Sequence, residues 1–105
     1  MNQVIRMGRR AMKAMWNGEV VAESDQTVVL EGNHYFPRSS IVGEFFSENG
    51  KSSSCPWKGV AKYYDVSVKG DKNSGAAWSY TSAKERAKEI EGRVAFWGGI
   101  QIVEG

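Results

Sequence analysis

The sequence has a single cysteine, a single histidine and two prolines among its 105 residues. One cysteine excludes a disulfide between residues of this sequence. A zinc site built from Cys and His needs three or four such ligands, so we expect no metal and no other cofactor. An unpaired thiol also suits a reducing compartment, which favours a cytoplasmic location.

Long apolar runs are also absent. No run of residues approaches the roughly 18 apolar positions that a membrane-spanning helix needs, and the basic N-terminal segment has no apolar stretch of the kind found in a signal peptide. We therefore expect a domain that does not contact a membrane.

Net positive charge is absent outside the first 14 residues. That segment carries Arg6, Arg9, Arg10 and Lys13 and no acid, which leaves ten basic and twelve acidic residues in the rest of the chain. The main body has no basic surface for phosphates, which argues against nucleic-acid binding. We expect residues 1–11 to form a basic extension and residues 12–105 to form one domain.

Short β-rich segments separated by turn signals predict a mainly β, antiparallel fold. Asn17-Gly18 stands between two apolar segments, a strong signal for a two-residue hairpin turn. No regular alternation of strands with helices supports a parallel sheet. The predicted strands are 13–16, 19–24, 27–30, 34–36, 60–69, 76–80, 93–97 and 100–103. Residues 41–46 fit either a strand or one helical turn, and the polar residues 47–54 predict a loop.

One helix is predicted near residues 82–91. Ser82 and Glu85 have the spacing of a capping box, in which the two side chains satisfy two backbone N–H groups reciprocally. Gly92 is a suitable stop. In the long strand 60–69, alternation predicts that Val60, Val66 and Val68 face the core, on the same side as Tyr64 and Lys62, and that the other face is polar.

The segment 54–59, Ser-Cys-Pro-Trp-Lys-Gly, carries two reactive side chains. Cys55 suits a nucleophile or redox thiol, since a cation such as Lys58 favours the thiolate and His34 would complete a Cys/His pair. It also suits a buried packing residue. Lys58 suits an anion site or an imine-forming lysine, or a lysine that extends along the surface towards solvent.

Aromatic residues with polar atoms are numerous. Such rings suit a small-ligand pocket, and they also suit core filling in a small domain. For Tyr63 and Tyr80, pocket lining gains support because their hydroxyls need partners if buried. The set comprises Trp16, Tyr35, Trp57, Tyr63, Trp78, Tyr80 and Trp97.

Several motifs in order resemble the family known as domain of unknown function 427, over residues 12 to about 103. They are Met-Lys-Ala-Met-Trp-Asn-Gly at 12–18, Val-Val-Ala-Glu-Ser at 20–24, Tyr-Phe-Pro-Arg at 35–38, Cys-Pro-Trp-Lys-Gly-Val-Ala-Lys-Tyr-Tyr at 55–64, Ala-Ala-Trp-Ser-Tyr at 76–80 and Val-Ala-Phe-Trp at 94–97. The resemblance implies a small β-tent fold of the Mss4-like class. Zinc-binding Cys-x-x-Cys pairs of that class are absent here, so the metal does not carry over. The family has also carried a nucleotidyltransferase label. This sequence has no carboxylate pair in a Gly-Ser context, so we do not expect that activity.

The leading hypothesis is a domain that binds a small polar or anionic molecule in an aromatic-lined cleft, as a monomer or weak homodimer. Arg38 and Lys58 would favour an anionic or polyol ligand. The alternatives are an enzyme that depends on Cys55, with Lys58 or His34 assisting, and a protein-interaction module. The predicted ligand-binding residues are Tyr35, Arg38, Cys55, Trp57, Lys58, Tyr63, Trp78 and Tyr80, with Cys55 and Lys58 also the candidates for a catalytic role.

Overall fold

The computed structural model describes residues 6–7 and 10–105. Within them the fold is mainly β, as the sequence predicts, with three short 3-10 segments, Arg38–Ser40, Gly43–Phe45 and Glu85–Ile90. The strands are β1 (Arg6–Met7), β2 (Met12–Trp16), β3 (Glu19–Ser24), β4 (Val28–Leu30), β5 (Asn33–Tyr35), β6 (Phe46–Cys55), β7 (Gly59–Val68), β8 (Asp71–Ser79), β9 (Val94–Phe96) and β10 (Gln101–Glu104).

The described strands form three sheets, and every strand pair in them is antiparallel. The first sheet has the order β1-β4-β5, the second β10-β2-β3 and the third, with four strands, β6-β7-β8-β9. Arg6–Met7 of the predicted extension pair with β4. The predicted Asn17-Gly18 hairpin turn is confirmed, because both residues have positive φ, 52° and 81°, as a type I′ turn requires.

The polar segment 47–54 is a strand rather than the predicted loop. It forms most of β6, at an edge of the third sheet, and its side chains are mainly exposed. An edge strand pairs its backbone with one neighbour only and borders solvent. It therefore does not need the apolar side chains of a central strand. The Asn49-Gly50 dipeptide marks a bulge: the step from Glu48 to Ser52 faces the shorter step from Lys62 to Tyr64 in β7.

The predicted helix near residues 82–91 is a 3-10 helix, Glu85–Ile90, preceded by Lys84 with no side-chain cap. The proposed Ser82–Glu85 capping box is therefore wrong. Instead, the carboxylate of Glu91 accepts a hydrogen bond of 2.9 Å from the backbone N–H of Ala83. The burial of Ala87 and Ile90 holds the segment in place, rather than a side-chain cap at its N-terminus.

Two hydrophobic cores lie against the four-stranded sheet. Along β9, Val94 and Phe96 belong to the first core, which also contains residues of β2 and β3, whereas Ala95 belongs to the second, which contains residues of β4 and β5. Both faces of this sheet are therefore covered, since neighbouring residues in a strand point to opposite faces.

The predicted core face of β7 is correct for only part of its length. Val66 and Val68 are buried as expected, but Val60 is 49 % exposed and Lys62 is also exposed. The face expected to be polar carries Ala61, which is buried in the second core. The alternation of apolar and polar residues did not indicate at which point along β7 each of the two cores ends.

Candidate functional site

The residues Pro56, Trp57 and Lys58 form the turn between β6 and β7, and the turn is fastened to the segment before the 3-10 helix. Lys84 donates twice: its backbone N–H to the carbonyl of Lys58 at 3.0 Å and its Nζ to the carbonyl of Pro56 at 2.8 Å. Gly59 has φ +117°, and a Cβ there would lie 3.1 Å from the carbonyl oxygen of Ser82. Only glycine adopts this conformation readily, so Gly59 fixes the position of Lys58.

The ammonium group of Lys58 lies between two aromatic rings. Its Nζ is 5.6 Å from the centroid of the Trp57 ring and 5.5 Å from that of Tyr80, within the range of a cation–π interaction. The Lys58 side chain is only 11 % exposed, and its Nζ forms an ion pair with the carboxylate of Glu31. A buried charge needs such a partner.

The environment keeps Lys58 protonated. Burial alone would lower the pKa of Lys58, but the hydrogen bond to Glu31, together with the nearby Tyr35 and Tyr80, outweighs it and raises the pKa above its ordinary value. Lys58 is therefore a cation at neutral pH. It suits the binding of an anion better than imine formation, which requires the free amine.

Tyr35 and Trp78 pack in the same core as Trp57 and Tyr80, the aromatic neighbours of Lys58. The indole Nε1–H of Trp78 donates to the hydroxyl of Tyr35 at 3.2 Å, and the two rings meet edge to face with centroids 6.2 Å apart. Tyr35 is fully buried and Tyr80 nearly so, and burial is the main cause that raises the pKa of each hydroxyl. Both hydroxyls are therefore neutral at physiological pH and able to donate hydrogen bonds.

Cys55 and Tyr63 are half-buried and pack against the same core as Tyr35 and Tyr80. Cys55 is the last residue of β6 and faces Gly59 across the hairpin. Tyr63 faces Trp78 in the neighbouring strand, and its hydroxyl is 3.0 Å from Oγ of Ser53. Seven of the eight predicted ligand-binding residues therefore lie on one side of the four-stranded sheet.

Arg38 does not join them. Its guanidinium donates to the hydroxyl of Tyr64 at 3.0 Å and lies 5.4 Å from the centroid of that ring. Both residues line a cavity of about 220 Å³ with Ile41 and Phe46, which pack against the first core. The anion-binding pair of Arg38 and Lys58 expected from the sequence is thus divided between two sides of the domain.

His34 does not point towards Cys55 and Lys58 either. It precedes Tyr35 in β5, so its ring points to the opposite face of that strand, and its Nδ1 is 2.7 Å from Oγ1 of buried Thr27. The geometry gives no support to a Cys55–His34 pair.

Sequence reasoning missed Glu31, the ion-pair partner of Lys58. Glu31 lies in the turn before β5, with a positive φ of 54°. A partly buried lysine requires an acidic partner, but nothing in the spacing selects Glu31 from the twelve acidic residues of the chain.

Residues 6–7 and 10–105 contain no cluster of three or more His, Cys, Asp or Glu side chains able to hold a metal ion. The same residues include no helix with the length and apolar character needed to cross a membrane.

Comparison with known proteins places the chain in a family context. The family model named NTP_transf_9, described as a domain of unknown function (DUF427), matches residues 4–104. A search of curated proteins found no significant match.

Proposed function

The chain belongs to the domain of unknown function 427 family, and from the geometry around Lys58 we propose that it binds a small anionic molecule at Lys58, in a cleft beside Trp57 and Tyr80. One observation carries the proposal. A protonated lysine is almost fully buried between two aromatic rings, and its anionic partner, Glu31, comes from an exposed turn.

Glu31 occupies the position that a ligand carboxylate or phosphate would take. The Glu31 side chain is 30 % exposed, against 11 % for Lys58, so the carboxylate already borders water and is the partner able to move into it. An incoming anion would replace one ion pair by another and never leave Lys58 buried without a partner, which is the costly state.

The remaining cleft residues fit a ligand with further polar groups. Tyr35 and Tyr80 carry neutral hydroxyls, and the half-buried Trp57, Tyr63 and Trp78 supply ring surface. Pockets of this composition, mainly aromatic with a few fixed polar atoms, are typical of small-molecule sites. Arg38 has no part in the proposal, because its guanidinium binds Tyr64.

NMR titration of protein labelled with ¹⁵N at tryptophan tests the proposal, with inorganic phosphate and succinate as anionic probes and sorbitol as a neutral polyol. We expect at least one anion to shift the indole resonances of Trp57 and Trp78 and to leave that of Trp16, which packs against the other core, in place. Lys58→Met should abolish the shift. Glu31→Gln should tighten binding about tenfold, or ~1.4 kcal/mol, by removing the internal competitor.

Lys62→Met is the matched control, because it removes an exposed lysine from β7, the strand that begins directly after Lys58. Its titration should equal that of the unchanged protein. Absence of any shift with either anion, in both the unchanged protein and Glu31→Gln, would overturn the proposal. A shift with sorbitol alone would show a polyol site instead.

An enzyme that depends on Cys55 is the second candidate, since the half-buried thiol packs against the same core as the cleft residues. His34 faces away, so Lys58 is the candidate assisting group for the thiol.

We also propose that the three sheets form a β-tent of the Mss4-like class. We further propose that the domain acts in the cytoplasm as a monomer or weak homodimer. The antiparallel three-sheet arrangement supports the proposed β-tent fold.

A further inference from the structure

Trp97 is the most exposed large apolar side chain among the residues that the structure describes, at 59 % exposure. Its ring is nevertheless fixed. The indole Nε1–H donates to the carbonyl of Gly75 at 2.6 Å, and the backbone N–H donates to the carbonyl of Ala76 at 2.9 Å. The turn that follows is held by the side-chain amide of Asn73, which donates to the carbonyl of Gly98 at 2.7 Å.

The exposed ring borders a groove of about 310 Å³. The second aromatic ring in this groove is Tyr63, whose hydroxyl is bonded to Ser53. Between the two rings lie hydroxyl, amide and ammonium groups. We call this surface the Trp97 groove; it is lined by Asn49, Lys51, Ser52, Ser53, Tyr63, Ser74, Gly75 and Trp97.

Hydrogen bonds to a buried carboxylate hold the residues that line the groove in place. Asp65, which is buried, accepts a hydrogen bond from the Asn49 amide at 2.6 Å and one from the Gly75 backbone N–H at 2.8 Å. Gly75 in turn orients the indole of Trp97. The groove is thus formed before any ligand arrives, which reduces the entropy lost on binding.

From this arrangement we propose that the Trp97 groove binds one ring of a neutral saccharide. The face of an exposed indole stacks against the C–H face of a sugar ring, while hydroxyl and amide groups around it bond to the sugar hydroxyls. The volume lies at the small end of ligand sites, as one ring requires. An apolar protein partner fits less well, since six of the eight lining residues carry an amide, hydroxyl or ammonium group at the end of the side chain.

This site is separate from the one proposed at Lys58. The groove lining contains neither Lys58 nor Glu31, Trp57 or Tyr80. Tyr63, which packs against the second core and lines the groove, lies between the two sites. Lys58 and Trp97 each belong to one site only, so a variant at either residue tests one proposal without the other.

The test is an NMR titration of the full chain, labelled with ¹⁵N at tryptophan, with methyl β-D-glucopyranoside, cellobiose and maltose. We expect at least one saccharide to produce a saturable shift of the Trp97 indole resonance and none of the Trp16 resonance. Trp97→Ala should abolish saturation transfer from the protein to that saccharide, and Trp97→Phe should retain part of it. Val60→Ala, which shortens another exposed apolar side chain, should leave it unchanged.

Three results would overturn the proposal. One is the absence of a Trp97 shift with all three saccharides up to their solubility limits. Another is equal saturation transfer in Trp97→Ala, with the Trp16 resonance in place to show that this variant is folded. The third is a Trp97 shift that depends on protein concentration alone, which would indicate that a second copy covers the ring. Lys58→Met should bind the saccharide normally even if it has lost the anion, so failure of one site is distinguishable from failure of the other.

Discussion

The side-chain amide of Asn49 donates a hydrogen bond of 2.6 Å to Oδ1 of Asp65 and so ties the bulge of β6 to the middle of β7. The backbone N–H of Gly75, in the irregular part of β8, donates to the same oxygen at 2.8 Å. One carboxylate therefore satisfies donors from the strands on both sides of it. These bonds hold the pKa of Asp65 below its ordinary value of 3.8.

Asp65→Asn removes the charge and keeps the shape of the side chain. We expect it to lower the free energy of unfolding by about 2 kcal/mol at pH 7, because hydrogen bonds to a charged group are worth more than neutral ones. Urea denaturation measures the change. Asp25→Asn, at an exposed position, is the control and should change stability by less than about 0.5 kcal/mol.

The same substitution should remove part of the acid sensitivity. Because the folded pKa of Asp65 is lowered, its stabilising contribution is complete above the unfolded pKa near 3.8 and is lost as the pH falls through the folded value. Urea midpoints should therefore decline less steeply below about pH 5 in Asp65→Asn than in the unchanged protein. Parallel declines would show that Asp65 is not the group that titrates.

The strands with apolar alternation and glycine turns were predictable, and β6 was not. Local chemistry at Asn17-Gly18 determines a hairpin by itself, whereas β6 acquires its conformation by pairing with β7. Its serines carry no periodic signal, and Asn49-Gly50 has the same turn chemistry as Asn17-Gly18 but forms a bulge anchored by Asp65. The difference lies in contacts that are distant in sequence.

For the candidate site, the sequence grouped seven residues that do lie on one side of the four-stranded sheet, but it did not indicate how they are arranged. Trp57 and Lys58 are neighbours along the chain, and Tyr80 meets them only because β7 and β8 are paired. Glu31 lies between β4 and β5 of the first sheet. The spacing of residues along the chain does not reveal that it pairs with Lys58. Arg38 was misplaced because it begins the 3-10 segment Arg38–Ser40, from which its side chain contacts Tyr64, and the sequence does not reveal that contact.

Gly59→Ala should destabilise the turn that carries Lys58. The residue has φ +117°, and its new Cβ would lie 3.1 Å from a backbone oxygen, so the chain must shift at a cost of about 2 kcal/mol. Urea denaturation measures the loss, and anion affinity should fall with it. Gly43→Ala is the control, since that position has no positive φ and no atom within 4 Å. Equal stability of the two variants would contradict the role assigned to Gly59.

Ser79→Ala should stabilise the domain. The Ser79 hydroxyl is fully buried and has no hydrogen-bond partner within the described part of the chain, so removing it relieves an uncompensated desolvation cost of about 1 kcal/mol. Thermal or urea unfolding measures the gain. Ser53→Ala, which deletes a hydroxyl bonded to Tyr63, should show no gain. A loss of stability in Ser79→Ala would indicate that the hydroxyl has a partner after all.

Alkylation of Cys55 by iodoacetamide should report on occupation of the Lys58 cleft. The thiol is half-buried and packs against the same core as Trp57 and Tyr80, so a bound anion should obstruct the reagent. We expect phosphate or succinate, whichever binds, to slow modification several-fold as followed by mass spectrometry.

Lys58→Met separates obstruction from a general salt effect on the Cys55 reaction, because the variant keeps the thiol and loses the anion site. Its alkylation rate should be the same with and without the anion. Equal slowing in this variant would indicate a general salt effect or an anion bound elsewhere, and would contradict obstruction at Lys58. A thiol that reacts only after unfolding would exclude Cys55 as a nucleophile, since a catalytic thiol must be reached by its substrate in the folded protein.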